Sequence, residues 1–204
     1  MIAVVDYGSG NIGAFVTVYG RLNVPLKIAR RSEDLQDATK IILPGVGAFD
    51  YAMGRLERSG MRPGLEEAVR VRHVPVLGVC VGMQMLGASS AEGRLPGLGW
   101  IDGDVRRFTP PATTHAICVP HMGWNTVTET RTNRLMHRVE RDARFYFLHS
   151  YYFHCNRSDD VLAVTTHGVE FACAVNAGAV FGVQFHPEKS HQWGVRLLEN
   201  FARL

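Results

Sequence analysis

The chain has 204 residues, of which 46% are hydrophobic and 20% are charged, and its formal net charge is +3. This composition is typical of a soluble globular protein, and the scattered basic residues give little support to nucleic-acid binding. No apolar run reaches the roughly 18 residues of a membrane span, and the chain opens into a predicted strand rather than a signal peptide. We therefore expect a single domain, residues 1–204, in the reducing cytoplasm.

The first half of the chain alternates short apolar strands with helices. Continuous apolar runs such as Ile2–Val5 are typical of strands that are covered on both faces. The repeated β-α order predicts an α/β fold with a mostly parallel central sheet flanked by helices. The predicted strands are 2–5, 25–29, 40–43 and 74–79, and the predicted helices are 12–22, a short helix capped by Ser32, 48–56, 63–72 and 80–88.

A loop rich in glycine and proline after residue 91 marks a change in character. Short strands replace the helices, and turn signals such as Asn176-Ala-Gly178 separate them. This half of the chain therefore predicts antiparallel strand additions at one side of the sheet, closed by an amphipathic helix at about 192–204 whose core side carries Val195, Leu198 and Phe201 or Ala202. The predicted strands are 103–108, 116–119, 144–149, 161–165, 170–175 and 179–185.

Cys80 stands where a buried strand breaks into a helix. Gly78 and Gly82 flank it at two residues on each side, which is typical of a sharp strand-to-helix turn that exposes the central side chain. A cysteine at a helix N-terminus favours the thiolate, so the pattern indicates a nucleophile. The alternative is a small buried cysteine in an ordinary turn, since free cysteines are mostly core residues.

A second strand end, Pro44-Gly-Val-Gly47, also carries glycines. Gly45 and Gly47 allow the peptides around Val46 to adopt unusual dihedral angles and even to flip, which would aim N–H groups at a bound oxyanion. A plain loop whose glycines serve only turn geometry remains the alternative.

His186 and Glu188 lie two residues apart at the end of a third strand. In an extended segment both side chains point to one side, which gives a histidine oriented by a carboxylate. If this strand end meets that of Cys80 at the carboxyl edge of the sheet, the three residues supply a nucleophile, a base and an orienting group. A structural histidine with satisfied hydrogen bonds is the alternative.

The remaining cysteines, Cys118, Cys155 and Cys173, form no CxxC pair and match no zinc-binding spacing. We interpret them as packing residues and expect neither a metal ion nor a cofactor.

Several separated motifs together resemble the class I glutamine amidotransferases, and in detail the glutaminase subunits of imidazole glycerol phosphate synthases. The resemblance covers nearly the whole chain in the right order. It is carried by DYGSGN at 6–11, LPGVGAF at 43–49, GVCVGMQ at 78–84, PHMGWN at 120–125, YFLHSY at 146–151 and FHPEKS at 185–190.

The resemblance implies hydrolysis of the glutamine side-chain amide by a nucleophile at Cys80, a general base at His186 and an orienting Glu188. It also implies an oxyanion hole formed by backbone N–H groups, and side chains that hold the backbone groups of glutamine. The oxyanion hole would lie at Gly45, Val46, Gly47 and Val81, and glutamine would be held by Gln84, Glu92, Ser150 and Tyr151.

The family also implies a partner, a (βα)8-barrel cyclase that receives the ammonia and makes imidazole glycerol phosphate in histidine biosynthesis. In such enzymes the glutaminase is weak alone, because the backbone at Val46 offers its N–H only when the partner binds. The resemblance places four residues at the interface or the ammonia exit: Asn11, Trp124, Tyr146 and Lys189.

Some features leave other functions open. Val81 stands where leucine is commoner, which is a conservative departure. Residues 186–194, together with 144–146 and 165–168, look like a paralogous branch that supplies ammonia for amidination of a surface-polysaccharide sugar. Further alternatives are a cysteine peptidase or deglycase-like relative and a catalytically silent regulatory subunit. The intact Cys80, His186 and Glu188 disfavour the silent subunit, whereas Gln84 and the block 185–190 disfavour the peptidase.

Overall fold

A computed structural model describes residues 1–109 and 118–204. Its helices are α1 (Ile12–Arg21), α2 (Phe49–Ser59), α3 (Arg62–Glu66), which continues as a π-helical turn (Glu67–Val71), α4 (Val81–Gln84) and α5 (His191–Ala202), with 3-10 turns at Ser32–Leu35, Ser158–Asp160 and Pro187–Lys189. Its strands are β1 (Ile2–Val5), β2 (Leu26–Ala29), β3 (Lys40–Gly45), β4 (Val76–Cys80), β5 (Ser89–Ser90), β6 (Gly103–Arg107), β7 (His121–Thr126), β8 (Thr128–Glu129), β9 (Arg144–His149), β10 (Tyr151–Cys155), β11 (Val161–His167), β12 (Val169–Ala177) and β13 (Val180–Val183).

The centre of the molecule is a parallel sheet in the order β2-β1-β3-β4-β13. Every residue of β1 and β4 is buried, as expected of strands covered on both faces. The carboxyl ends of β3, β4 and β13 lie side by side, with Gly45 opposite Cys80 in the register. The predicted parallel sheet is confirmed, and its edge brings the three predicted functional strand ends together.

The second half of the chain extends this sheet with antiparallel strands, as predicted. Strand β12 pairs with β13 and β10, β10 pairs with β6, and β11 pairs with β12 and β8. Strand β9 forms at the predicted residues but lies outside this sheet. It pairs with β7 as a separate two-stranded sheet, which we call the β7–β9 ribbon.

Other predicted elements differ from the structure. The helix predicted at 80–88 ends at Gln84, because the N–H of Ala88 donates to the Gly103 carbonyl of β6 and the Ala88 carbonyl accepts the N–H of Gly97. Ser32 is not a helix cap, since the Asp34 carboxylate caps that turn and the Ser32 hydroxyl accepts the N–H of Gly64 instead. The strand predicted at 116–119 lies partly outside the described residues, and residues 118–119 are not in a strand.

The last helix packs on the sheet with the predicted face. Leu198 and Phe201 are buried, together with Leu197, while Val195 and Ala202 are half-buried against the core. In the described part of the chain, no helix is long and apolar enough to cross a membrane.

Candidate active site

The backbone at Cys80 has the strained geometry that the sequence predicts. Its φ is 56° and its ψ is −115°, a positive φ that residues with side chains rarely adopt. The flanking glycines make this turn sterically feasible. A Cβ on Gly82 would lie 1.9 Å from the carbonyl oxygen of Leu43, and one on Gly78 would lie 2.7 Å from the Gly82 carbonyl oxygen.

The thiol of Cys80 faces polar groups at the carboxyl edge of the sheet. Its Sγ lies 4.0 Å from the Leu148 carbonyl oxygen and 3.9 Å from Nε2 of Gln184. Gln184 was not among the predicted site residues, although it follows β13 and precedes His186 by only two positions. Because α4 has only four residues, its dipole can contribute little, and the thiol depends on neighbouring side chains for activation.

His186 and Glu188 form a buried pair beside Cys80. The His186 Nδ1 lies 2.9 Å from Oε1 of Glu188, and the two side chains are only 5% and 2% exposed. Burial lowers the pKa of His186, but hydrogen bonds to Cys80 and Glu188 and their charges outweigh it and raise that pKa to about 10. The imidazole therefore carries a proton at neutral pH and is placed to stabilise a thiolate.

Three surface cavities are candidates for the substrate pocket. The largest of them, about 600 Å³, lies along residues 127–141, and the described residues that line it include no cysteine or histidine. The second, about 440 Å³, contains Cys155, and burial raises the pKa of that thiol to about 12. The third, about 370 Å³, opens directly onto Cys80 and His186. Chemistry rather than size identifies the third as the reactive pocket. Its lining residues are Val46, Gly47, Cys80, Val81, Gln84, Glu92, Pro120, Leu148, His149, Ser150, Tyr151, His186 and Lys189.

The glycine-bearing end of β3 forms one wall of this pocket. Gly47 has a φ of +89°, as expected at a position chosen for its conformational freedom. The N–H of Val46 does not point to the pocket, because it donates to the Ser9 hydroxyl at 3.2 Å, and this hydroxyl donates to the Val46 carbonyl at 3.0 Å. The predicted oxyanion donor is therefore occupied in this conformation. Ser9 was not predicted as a site residue.

The four residues predicted to hold glutamine all line the pocket. Nε2 of Gln84 donates to the Tyr151 carbonyl and to Oε1 of Gln184, each at 3.0 Å. Oε2 of Glu92 accepts the N–H of Phe49 at the start of α2 at 2.8 Å. Ser150 lies between β9 and β10, where the chain passes from the ribbon into the main sheet.

Comparison with known proteins identifies the family. A family model described as glutamine amidotransferase class-I matches residues 3–204. The chain belongs to the class I glutamine amidotransferases. Its similar relatives are named imidazole glycerol phosphate synthase subunit HisH. One from Bdellovibrio bacteriovorus is 56% identical and one from Leptospira interrogans 50% identical, each alignment covering 100% of both chains.

Solved structures support the same fold at lower identity. A glutamine amidotransferase from Thermotoga maritima has a TM-score of 0.65 at 16% identity, covering 99% of this chain and 82% of that one. PurLQS from Thermotoga maritima has a TM-score of 0.75 at 17% identity, covering 99% and 97% of the two chains. These likenesses concern the fold alone.

Three of the four residues predicted at the partner interface of this amidotransferase cluster at the pocket mouth. Nζ of Lys189 lies 5.7 Å over the Tyr146 ring, and Tyr146 contacts Trp124 edge to face at 5.8 Å. Trp124 also stacks on His191 at 5.0 Å. Asn11 precedes α1 and is exposed, and it does not line the pocket.

The other cysteines of the enzyme do not line the pocket and are not disulfide-bonded. Burial raises the pKa of Cys155 to about 12 and raises the pKa of Cys173 further. Both thiols are therefore protonated and poorly reactive at neutral pH. Cys118 is exposed.

Proposed function

We propose that Cys80, His186 and Glu188 hydrolyse the side-chain amide of glutamine to glutamate and ammonia. The observation that carries this proposal is the buried His186–Glu188 pair beside the strained Cys80, at the floor of a pocket of substrate size. The Cys80 thiolate attacks the amide carbon, and His186 protonates the departing nitrogen as the carbon–nitrogen bond breaks. Water then attacks the thioester, neutral His186 accepts its proton, and the thiolate leaves with glutamate formed.

The pocket offers suitable partners for the other end of glutamine. One oxygen of Glu92 is held by the α2 amide, so its carboxylate is fixed and can pair with the substrate ammonium. Gln84, Ser150 and Tyr151 supply polar groups around it. The N–H of Val81, the residue after the nucleophile, and that of Val46 would bind the tetrahedral oxyanion.

The bond between Val46 and Ser9 supports control of this reaction by a partner. With the Val46 N–H donated to Ser9, only part of the oxyanion hole is available. Docking of a partner that turns the peptide at Val46 would free its N–H to bind the oxyanion. A missing oxyanion donor costs on the order of 100-fold in rate. The isolated chain is therefore a weak glutaminase, with Gly45 and Gly47 giving the peptide freedom to turn.

The partner is a (βα)8-barrel cyclase, and the ammonia passes to it for the synthesis of imidazole glycerol phosphate in cytoplasmic histidine biosynthesis. The relatives' name, a subunit of a synthase, supports a partner. Support from the surface comes from Met122, Trp124 and Leu148, three large apolar side chains that the ribbon exposes beside the pocket. Residues 1–204 act as one domain, with Lys189, Tyr146 and Asn11 at the interface.

The test measures glutamate released from glutamine by the chain alone and with the barrel subunit of the same organism. We expect slow release alone, faster release in the complex and none from the complex of Cys80→Ala. Rescue of a histidine auxotroph by the pair would support the histidine pathway over a sugar acceptor. Absence of glutamate in every mixture would contradict the enzymatic proposal.

A further inference from the structure

A chain of hydrogen bonds runs from the β7–β9 ribbon to the pocket wall. Asn125 Nδ2 lies 3.3 Å from Nε2 of His121, and Nδ1 of His121 lies 3.0 Å from Nε2 of His149. Nδ1 of His149 lies 2.8 Å from the Tyr151 carbonyl oxygen. His149 lines the pocket, and both histidines are buried, yet the hydrolysis described above uses neither.

Backbone groups fix the outer end of this chain. Oδ1 of Asn125 accepts the N–H of Thr126 at 2.9 Å, and Nδ2 donates to the Thr166 carbonyl at 2.9 Å. A backbone N–H can only donate and a carbonyl can only accept, so the orientation of the amide is determined. Its second amide hydrogen then points to His121, whose Nε2 must accept.

The inner end independently requires the same arrangement. The Tyr151 carbonyl can only accept, so Nδ1 of His149 carries the proton and Nε2 of a neutral His149 accepts. Nδ1 of His121 must then donate to it, which leaves Nε2 of His121 as an acceptor. Only one pair of tautomers satisfies both ends, and in it both rings are protonated at Nδ1.

The surroundings of the two rings keep them neutral. Phe147 stacks on His121 at 4.6 Å, and His167 stacks on it at 4.2 Å. Burial, then the nearby His167, lowers the pKa of His121 to about 4. Burial lowers the pKa of His149 to about 3, against a smaller opposing effect of its bond to Tyr151.

We propose that His121 and His149 are positioning residues that hold the Ser150–Tyr151 wall of the glutamine pocket through this single tautomer pair. The Tyr151 carbonyl accepts from both His149 and Gln84, so two fixed donors define the direction of its peptide. Without the histidine chain, that peptide can turn and move the groups that meet glutamine. This role rests on the proposal that Ser150 and Tyr151 bind glutamine.

The tautomers are tested by ¹⁵N NMR of the histidine rings in the full chain at neutral pH. We expect both His121 and His149 to carry their proton on Nδ1, with signals assigned by their loss in the single variants. Asn125→Asp replaces the amide donor by an acceptor, so His121 should become protonated at Nε2. Protonation of either wild-type ring at Nε2, or no change at His121 in Asn125→Asp, would overturn the proposal.

The effect on glutamine is tested with a matched pair of variants in the assembled complex. His121→Phe keeps a ring against Phe147 but removes the donor to His149, whereas His121→Asn retains an N–H near the position of Nδ1. Loss of the hydrogen bond from His121 to His149 should raise the KM for glutamine about fivefold in His121→Phe, with kcat little changed. In His121→Asn the KM should return most of the way to the wild-type value.

An unchanged KM in His121→Phe would overturn the positioning role. If His121→Phe does not fold, Asn125→Asp is measured in the same assay and should raise the KM. If the protein does not hydrolyse glutamine, the NMR signals of the two rings still report their tautomers. The dissociation constant for glutamine still reports the effect of the histidine hydrogen bonds on the pocket. Failure of the proposed function is therefore distinguishable from failure of this inference.

Discussion

The reactivity of Cys80 depends on residues far away in the sequence. The strained turn exposes its thiol, but the short helix behind it offers little electrostatic help. The proton on His186 does more, since a charged imidazole beside the sulfur favours the thiolate. That proton is stabilised by the buried Glu188 carboxylate, so the three side chains act as a unit.

Replacing Glu188 by glutamine should lower the activity of these three residues, because it removes the negative charge while keeping a side chain of similar size. In Glu188→Gln the pKa of His186, now raised to about 10, falls because the carboxylate no longer stabilises the imidazolium. We expect kcat/KM for glutamine to fall about 100-fold, and its basic limb to move to lower pH. Glu67→Gln, at an exposed carboxylate, is the control. An unshifted pH profile would show that Glu188 does not set the charge of His186.

Ser9 should keep the rate of glutamine hydrolysis low when the enzyme is without its partner. Its hydroxyl accepts the Val46 N–H, so Ser9→Ala leaves this donor without its partner and favours the turned peptide. We expect glutamine hydrolysis by the chain alone to rise several-fold, while the rate of the complex stays the same. A drop or no change in the rate of the isolated chain would mean that Ser9 does not hold the donor away from the pocket.

The elements around Cys80 require glycine at fixed places. In Gly82→Ala the new Cβ would collide with the Leu43 carbonyl, which is backbone and cannot swing aside. We expect Gly82→Ala to lose activity and about 3 kcal/mol of unfolding free energy, in the range of strong steric lesions. Gly20→Ala in α1, with open space around its Cβ position, should instead gain about 1 kcal/mol. Urea unfolding measures both, and equal effects would contradict this distinction.

The sequence predicts elements well where one pattern runs unbroken. The apolar runs of β1 and β9 give their bounds to the residue. Strand β10 is missed because only Ser150 separates it from β9. The two strands look like one extended run in the sequence, although they belong to two different sheets. Strand β7 carries histidine, glycine and asparagine, which weakens its strand pattern. Both β7 and β10 owe their form to pairing partners distant in the chain.

The functional site, like the secondary structure, could be predicted from the sequence only where a local motif marks its residues. Cys80, His186 and Glu188 could be proposed because each stands in a local motif at a strand end. Ser9, Gln184 and the pair His121 and His149 could not, since their roles depend on contacts across the sheet edge. The carboxyl ends of parallel strands meet there, and the ribbon adds the remaining wall.

The stability of the whole molecule should fall in mild acid. The pKa values of His121 and His149 are lowered to about 4 and about 3, so the unfolded chain binds protons near pH 6 that the native state does not. The unfolding free energy therefore falls as pH drops below about 6.5, by up to about 2 kcal/mol per histidine at pH 5. Urea unfolding of the wild type and His121→Asn at pH 7 and pH 5 checks this. An equal loss in both proteins would contradict it.

Covalent trapping of the nucleophile tests most directly whether Cys80 carries out the hydrolysis. A glutamine analogue with a diazoketone in place of the side-chain amide is incubated with the complex, and modified peptides are mapped by mass spectrometry. We predict one adduct, on Cys80, formed in step with loss of glutaminase activity and prevented by excess glutamine. Loss of activity with an adduct on Cys118, Cys155 or Cys173, and none on Cys80, would show that Cys80 is not the nucleophile.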